Sequence, residues 1–212
     1  MIVVLGRPRV YRPEPDGELA PGGLAAEVAL AVGRAGAPVE IVGSIGDDPE
    51  GDRVILELGR AAVGHAALAR DPAARTPTVD GLDGQLPRLD AADIELGLRY
   101  LAECRVLVVA DDLGADSLST ALEAADYHGA ATVVVAAAGS IDPEGLGASV
   151  TLLERPLPEG GDDEADEVEV ARDDAGFAAF IADYALRLDG GAAPDTAFGA
   201  ALGDSAWEPS AD

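Results

Sequence analysis

The chain has 212 residues, 48% of them hydrophobic, so it is long and apolar enough to fold around a sizeable core. Its 40 acidic and 14 basic residues give a formal net charge of -26, which argues against nucleic acid as a partner because phosphates would be repelled. The absence of a basic amphipathic helix and of an apolar run of about 18 residues argues against a membrane partner. A single cysteine, Cys104, excludes an internal disulfide, and a cytoplasmic location is expected.

The basic residues are all arginine, and the sequence contains no lysine. Self-repulsion at this net charge opposes compaction in dilute buffer, whereas at molar salt the Debye length falls to about 3 Å and the repulsion is screened. The composition therefore favours a halophile over the alternative of an acidic protein from a GC-rich genome. Without lysine, a Schiff-base mechanism and a phosphate loop of the GK[ST] type are excluded.

Two strands and two helices are predicted in the first part of the chain. The apolar runs at 2–5 and 39–45 are predicted strands, and the first is too short for a signal peptide. Residues 23–35 are a predicted helix that ends at Gly36, in the manner of a left-handed cap. Asp48 followed by Pro49 predicts a second helix to about residue 62, because the carboxylate accepts from free backbone N–H groups and proline fits the first helical position.

The middle of the chain continues this alternation. Residues 65–89 combine strand-like pieces with turns at Gly81 and Gly84, and we expect a small lid sheet there. Asp90 and Asp93 predict a capping box and a helix to about residue 102. Residues 105–110 and 132–137 are continuously apolar, as parallel strands covered on both faces are, and residues 117–127 are a predicted helix between them.

The last third is predicted to contain two strands and two helices. A strand is expected at 149–153, an acidic loop at 156–167, a short strand at 168–171, and helices at 174–188 and 194–202. Strands that alternate with helices predict an α/β domain with a mostly parallel sheet.

Residues 22–64 contain a glycine pair that opens a small-residue helix, then an apolar strand, then the turn GDDPEGD that opens a second helix. This order resembles the N-terminal part of the ribokinase-like (PfkB) carbohydrate kinases. The resemblance implies a three-layer α/β/α ribokinase-like domain with a mostly parallel sheet and a small β lid. We expect a single domain over residues 1–203, with lid elements at 7–20 and 65–89, and a tail at 204–212.

The resemblance also implies a reaction, because the family transfers phosphate from ATP to a sugar or nucleoside hydroxyl with the help of Mg²⁺. Its glycine pair, here Gly22 and Gly23, lets the backbone approach the sugar, since glycine has no Cβ. Glu27 lies where the family usually has an asparagine that binds the sugar. A carboxylate only accepts hydrogen bonds whereas an amide also donates, so substrate binding through Glu27 is altered or lost.

The family's catalytic motif, GAGD, lies at the start of a helix, whose free N–H groups form an anion hole for the phosphoryl group. The matching stretch here is EVEVARDDAGFAAFIADYAL. The resemblance implies Asp174 as the catalytic base and Asp173, Ala175 and Gly176 as nucleotide-binding residues. An ungapped match of the phenylalanines puts the base position on Ala175 instead, and Asp173 and Asp174 are equally well explained as an N-terminal capping pair.

Other positions depart from the family. Arg7 and Arg9 follow the first strand, where the family often has a sugar-binding aspartate, and they are expected to lie in a surface loop, with an anionic substrate as the alternative. The family's NxxE stretch is missing. Asp47, Asp48 and Asp52 could form a metal cluster, but favourable charges at a helix start explain them better, so no metal site is predicted.

Two hypotheses follow. In the first, the protein is an ATP- and Mg²⁺-dependent kinase of a sugar or nucleoside, with Asp174 as base. In the second, it is a non-catalytic relative that binds a small polyhydroxylated ligand or a protein partner. In either case the lid could pair two copies of the chain into a homodimer. His65 and His128 have no serine or cysteine partner that would suggest a triad.

Overall fold

The structure, a computed structural model, describes residues 1–13, 17–78, 85–155 and 165–205; for residue 144 and residues 165–174 it describes the backbone alone. The strands are β1 (Ile2–Leu5), β2 (Arg9–Tyr11), β3 (Ala20–Gly22), β4 (Val39–Gly46), β5 (Gly64–Asp71), β6 (Val106–Val109), β7 (Ala131–Ala137) and β8 (Val150–Arg155). The helices are α1 (Gly23–Arg34), α2 (Pro49–Arg60), α3 (Ala91–Arg99), α4 (Ala115–His128), α5 (Ala165–Asp189) and α6 (Pro194–Asp204).

A parallel six-stranded sheet forms the middle layer, in the order β5-β4-β1-β6-β7-β8. Successive side chains of a strand point to opposite faces, and β1 supplies both cores in this way. Ile2 and Val4 pack in the cluster that contains residues of α1, α2, α5 and α6, whereas Val3 and Leu5 pack in the cluster that contains residues of α3 and α4. The predicted three-layer α/β/α architecture with a parallel sheet is therefore confirmed.

Aromatic side chains fix α5 and α6 against the sheet. Phe180 lies edge-on to Phe198 at 5.4 Å between ring centroids, and Tyr184 lies edge-on to Phe198 at 5.8 Å. The Tyr184 hydroxyl is 2.9 Å from the Thr151 hydroxyl of β8, so this buried ring has a polar partner. The aromatic spacing that predicted this helix thus serves packing.

The lid is smaller than the sequence predicted. β2 and β3 pair antiparallel, and Thr78 adds a parallel bridge to Val10, which is fully buried against the body. Residues 65–71 of the predicted second lid element belong instead to β5 (Gly64–Asp71), the edge strand of the main sheet. Edge strands are exposed on one side, so this segment lacks the continuous apolar run that marked the central strands. The turn points Gly81 and Gly84 lie outside the described residues.

One predicted strand is wrong. Residues 168–171 belong to α5, which begins at Ala165, so the chain has no strand there and the helix expected at 174 starts nine residues earlier. Alternating Glu and Val suggested a strand, but Glu, Ala and Arg are good helix formers and the segment is continuous with an amphipathic helix. Residues 165–167 of the predicted acidic loop are likewise helical, because α5 begins at Ala165. The rest of that loop, residues 156–164, and most of the tail, residues 206–212, lie outside the described residues.

The predicted helix ends are confirmed where local chemistry specified them. Asp90 and Asp93 form a reciprocal capping box at the start of α3, and Asp48 caps α2. Gly36 follows α1 with a φ of 79°. Across the described ranges, no helix has both the length and the apolar surface that crossing a bilayer requires.

Candidate ligand site at the carboxyl edge of the sheet

The strand order marks where a ligand would bind. From β1 the chain adds β4 and β5 on one side, then returns to add β6, β7 and β8 on the other. The order therefore reverses between β1 and β6, and in open α/β sheets ligands bind in the crevice outside the carboxyl ends of the strands at such a switch point. The segments that follow β1 and β6 are therefore the first place to look for functional side chains.

At this switch point, Arg7 and Asp111 form a bidentate ion pair. The Arg7 Nε lies 2.6 Å from Oδ2 of Asp111, and its Nη2 lies 3.0 Å from Oδ1. The backbone N–H of Arg7 also donates to Oδ2, at 2.9 Å. The two side chains are 18% and 11% exposed, and the hydrogen bond to Asp111 raises the pKa of Arg7. Arg7 is thus a partly buried structural residue that joins β1 to β6, rather than a surface loop residue.

The glycine pair, Gly22 and Gly23, lies beside the switch point, because the helix that follows it, α1, packs on the end of β1. A Cβ on Gly6, the residue after β1, would come within 2.9 Å of the Ala25 Cβ of α1. Gly23 has a φ of 73°, and a Cβ on it would lie 3.0 Å from Cγ of Arg9. The space over Gly23 is therefore lined by the Arg9 stem. Glu27 is half-buried one turn further along α1.

Asp48 and Thr76 form a hydrogen-bonded cluster next to the lid. Asp48 accepts from the backbone N–H of Gly51 at 2.8 Å, the backbone N–H of Thr76 at 2.7 Å and the Thr76 hydroxyl at 2.7 Å. Burial raises the pKa of Asp48, but the hydrogen bonds from Thr76 and Gly51 outweigh it and lower the pKa below its ordinary value of 3.8. Since Pro77, the next residue, accepts from Val10 of the lid at 3.0 Å, Asp48 connects α2 to the lid.

The neighbouring acids, Asp47 and Asp52, are not part of the hydrogen-bonded cluster of Asp48 and Thr76. Asp47 and Asp52 each pair with Arg70 on the protein surface. Gly46 and Gly51 leave room for the Asp48 cluster, because a Cβ on Gly46 would meet the Asp48 carboxylate and one on Gly51 would meet the Gly46 carbonyl. The turn GDDPEGD is thereby explained by helix capping and close packing. Among the described side chains there is no group of three or more metal-ligating residues.

The residues matched to the catalytic motif lie inside α5. Asp173, Asp174, Ala175 and Gly176 follow its first residue, Ala165, by eight to eleven positions. Amides in a helix interior donate to carbonyls four residues earlier and are not free to bind a phosphate. The amides of these four residues therefore cannot bind the phosphates of ATP as free amides at a helix start would. The roles predicted for these four residues stay predictions.

Cys104 and the two histidines contribute no chemistry to this edge. Burial raises the pKa of the Cys104 thiol to about 11, as expected of an inert core thiol. The His65 Nδ1 lies 3.0 Å from the Val63 carbonyl, and His128 is the last residue of α4.

The sequence did not predict the two most connected pairs at this edge. Arg7 and Asp111 are 104 positions apart, and Asp48 and Thr76 are 28 apart. One signal was available: a charged residue stands two positions after the end of both β1 and β6, and neighbouring parallel strands end at the same edge of the sheet.

Solved structures resemble this chain over most of its length. The crystal structure of Sa239 matches with a TM-score of 0.65 and 14% identity, over 93% of this chain and 89% of that one. Arabidopsis thaliana ribokinase, complexed with ribose and ATP, matches with a TM-score of 0.61 and 14% identity, over 94% and 89%. A PfkB protein from Polaromonas sp. JS666 matches with a TM-score of 0.51 and 15% identity, over 94% and 73%.

These matches define the class of fold. The chain is a three-layer α/β/α protein with a switch point between β1 and β6 and a small β sheet beside it. More particularly, it has the ribokinase-like fold that the residue pattern at 22–64 predicted. No family model matches the sequence, and no curated protein matches it. At 14% to 15% identity, the solved structures support the fold and not an activity.

Proposed function

We propose that this protein is a ribokinase-fold, PfkB sugar kinase-like protein that binds a small polyhydroxylated ligand at the switch point and does not transfer phosphate by the family's route. Gly22, Gly23 and Glu27 would contact the ligand. The observation that carries the proposal is the continuous helix α5, which holds the residues matched to the catalytic motif inside a helix. The bidentate Arg7–Asp111 pair lies where the family's sugar-binding acid would have to be free, so a ligand would bind through Gly22, Gly23 and Glu27 instead.

The continuous helix α5 supports the second half of the proposal. An anion hole needs several backbone N–H groups that are not already bonded, and each lost donor costs about 3 kcal/mol of transition-state stabilisation. Asp173 and Asp174 would add negative charge beside the phosphate that has to be bound. Binding and phosphoryl transfer are therefore separable in this chain.

Kinase activity remains the second candidate, favoured by the fold that this chain shares with a ribokinase complexed with ribose and ATP. In that candidate, Asp174 is the base, and Asp173, Ala175 and Gly176 bind ATP with Mg²⁺. Residues 165–176 would then have to leave the helix when ATP binds. Hydrogen exchange of these amides with and without MgATP tests this: a loss of protection on adding MgATP supports the kinase candidate.

Ligand binding and activity can be measured on the same samples. A panel of pentoses, hexoses and nucleosides is titrated while protein NMR signals are followed, and release of ADP from ATP is recorded in parallel in molar KCl. We expect a ligand that shifts the signals of residues 22–27 and produces no ADP. Ligand-dependent ADP release that Asp174→Asn abolishes would overturn this proposal in favour of the kinase.

A further inference from the structure

The connection from β7 to β8 differs from the other crossovers of the main sheet. The crossovers from β1 to β4, β4 to β5, β5 to β6 and β6 to β7 contain α1, α2, α3 and α4 in turn. Residues 138–149, which join β7 to β8, contain only the three-residue 3₁₀ helix Pro143–Gly145, and most of them are exposed. This crossover therefore supplies no α-helix to cover the sheet.

The handedness of crossovers shows which face of the sheet is left without that helix. Connections between parallel strands are right-handed, so two crossovers that move the same way along a sheet lie on the same face. The steps from β6 to β7 and from β7 to β8 move the same way, and α4 occupies the first of them. The place without a helix is therefore beside α4, over β7 and β8. The other face of β8 is covered by α5, through Thr151 and Leu153.

Three apolar side chains line this place, which we call the α4–β8 groove. Val150 and Leu152 of β8 lie opposite Thr132 and Val134 of β7, and Leu122 lies on α4. All three lining side chains pack against the core cluster of this face but are only partly buried. Among the described helices, α3 and α4 lie on this face, and their main contacts with the sheet are to β4, β5 and β7. The groove is therefore apolar and open beside β8.

The dimensions of the groove suit a helix. The six residues of β8 span about 20 Å, and about 14 helical residues have that length at about 1.5 Å each. An amphipathic helix presents one apolar stripe, which is what a groove between a helix and an edge strand can bury. The groove therefore fits an amphipathic helix in the place where the crossover lacks one.

Charge determines which helix fits. From residue 106 to residue 154 the sequence has eight acidic residues and no arginine or lysine. Exposed Asp126 lies one turn after Leu122 on α4, and exposed Glu154 follows Leu152 on the same face of β8. Acids thus stand beside the groove on both elements. A second copy of the chain would bring the same acids to this rim, whereas a basic helix would be attracted to it.

We propose that the α4–β8 groove binds an amphipathic helix of a partner protein. Its apolar stripe would pack on Leu122, Val150 and Leu152, and its lysines or arginines would lie beside Asp126 and Glu154. The groove is two strands away from the switch point between β1 and β6, so this surface is independent of the proposed ligand site.

The test uses three synthetic helical peptides of about 14 residues. The first has a leucine stripe flanked by lysines, the second has the same stripe flanked by glutamates, and the third has the composition of the first without a stripe. Binding is measured by fluorescence anisotropy at the lowest KCl concentration that keeps the circular dichroism spectrum of the folded protein. We expect the first peptide to bind at least about tenfold more tightly than either of the others, because it alone matches both the apolar groove and its rim.

Equal binding of the first and third peptides would mean general attraction to an acidic surface and would overturn the proposal. Preference for the glutamate peptide, or no binding of the lysine peptide at about 1 mM, a Kd worth about 4 kcal/mol, would overturn it as well.

Variants locate the surface. Leu152→Ser should lower the affinity for the first peptide at least about fivefold, and Val150→Thr, which keeps the branched shape, should lower it in the same direction. Leu96→Ser is the matched control, because Leu96 is an exposed leucine of α3 outside the groove. An equal loss in the control would overturn the proposal. Sedimentation of the protein alone should show no dimer formed through this face; a dimer that Val150→Thr dissociates would assign the groove to a second copy and overturn the proposal.

Discussion

Replacing Asp48 by alanine should destabilise the protein far more than replacing either neighbouring acid of the same turn. The change removes a helix cap, worth about 1 kcal/mol. It also leaves the backbone N–H and hydroxyl of Thr76 without their acceptor, at about 1 to 3 kcal/mol for an unsatisfied buried group. Because Asp48 is half-buried and water can replace part of the loss, we expect a total of about 2 to 4 kcal/mol.

For a chain of this length, that loss corresponds to a fall in Tm of about 5 to 15 °C. Urea unfolding in molar KCl, followed by circular dichroism, measures the free energy directly. Asp47→Ala is the matched control: its exposed pair with Arg70 contributes little, and its free energy of unfolding should change by less than about 0.5 kcal/mol. Equal losses for Asp47 and Asp48 would refute the view that Asp48 alone ties α2 to the lid.

The pH dependence of the same variants gives an independent check. The pKa of Asp48 is lower in the folded protein than its ordinary value of 3.8, so the unfolded chain binds the proton more readily. Its contribution is present above pH 3.8 and is lost as the pH falls through the folded pKa. Asp48→Asn should therefore flatten the decline in stability below about pH 4, relative to the wild type. An unchanged slope would contradict the assignment of that lowered pKa.

Three further predictions concern the ion pair, the aromatic core and the charge. Arg7→Ala should lower the free energy of unfolding by about 2 to 3 kcal/mol, since it leaves the partly buried Asp111 carboxylate without its counter-charge and with only the backbone N–H of residue 7 as a donor. Arg7→Lys should recover only part of this loss, because lysine cannot make the bidentate pair. Full recovery by lysine would speak against the bidentate geometry. Tyr184→Phe should lower the free energy of unfolding by about 1 kcal/mol, because the hydrogen bond to Thr151 is lost. Tyr127→Phe, at an 86% exposed position, is the control and should produce no measurable change in the same urea titration. Equal effects of the two substitutions would refute the buried Tyr184–Thr151 hydrogen bond. Finally, Tm should rise steeply with KCl as self-repulsion is screened, and a Tm indifferent to salt would refute the assumed role of the net charge.

The sequence predicted most of the fold because most of its signals are local. Asp48, Asp90 and Gly36 each specify a helix end through bonds to residues a few positions away. The runs at 2–5 and 132–137 are apolar throughout, which marks central parallel strands wherever they lie in the sheet. These features depend on chain neighbours, so no knowledge of tertiary contacts was needed.

The rest depended on contacts that are distant in sequence. Residues 64–71 became an edge strand because β4 offers a partner, and nothing in their own pattern specifies that partner. Residues 168–171 alternate like a strand but have no neighbouring strand to pair with, and helix propensity prevails. Arg7 was expected in a surface loop, because a sequence cannot show that the carboxylate of Asp111 lies within hydrogen-bond distance.

The central claim is that the ribokinase-like fold persists here without a working phosphate site. Calorimetric titration of ATP with Mg²⁺ into the protein in molar KCl tests it most directly, with a known ATP-binding protein in the same buffer as positive control. The account predicts no heat of binding up to millimolar ATP, for the wild type and for Asp174→Asn alike. Saturable ATP binding by the wild type, with ADP released in the presence of a sugar, would contradict it.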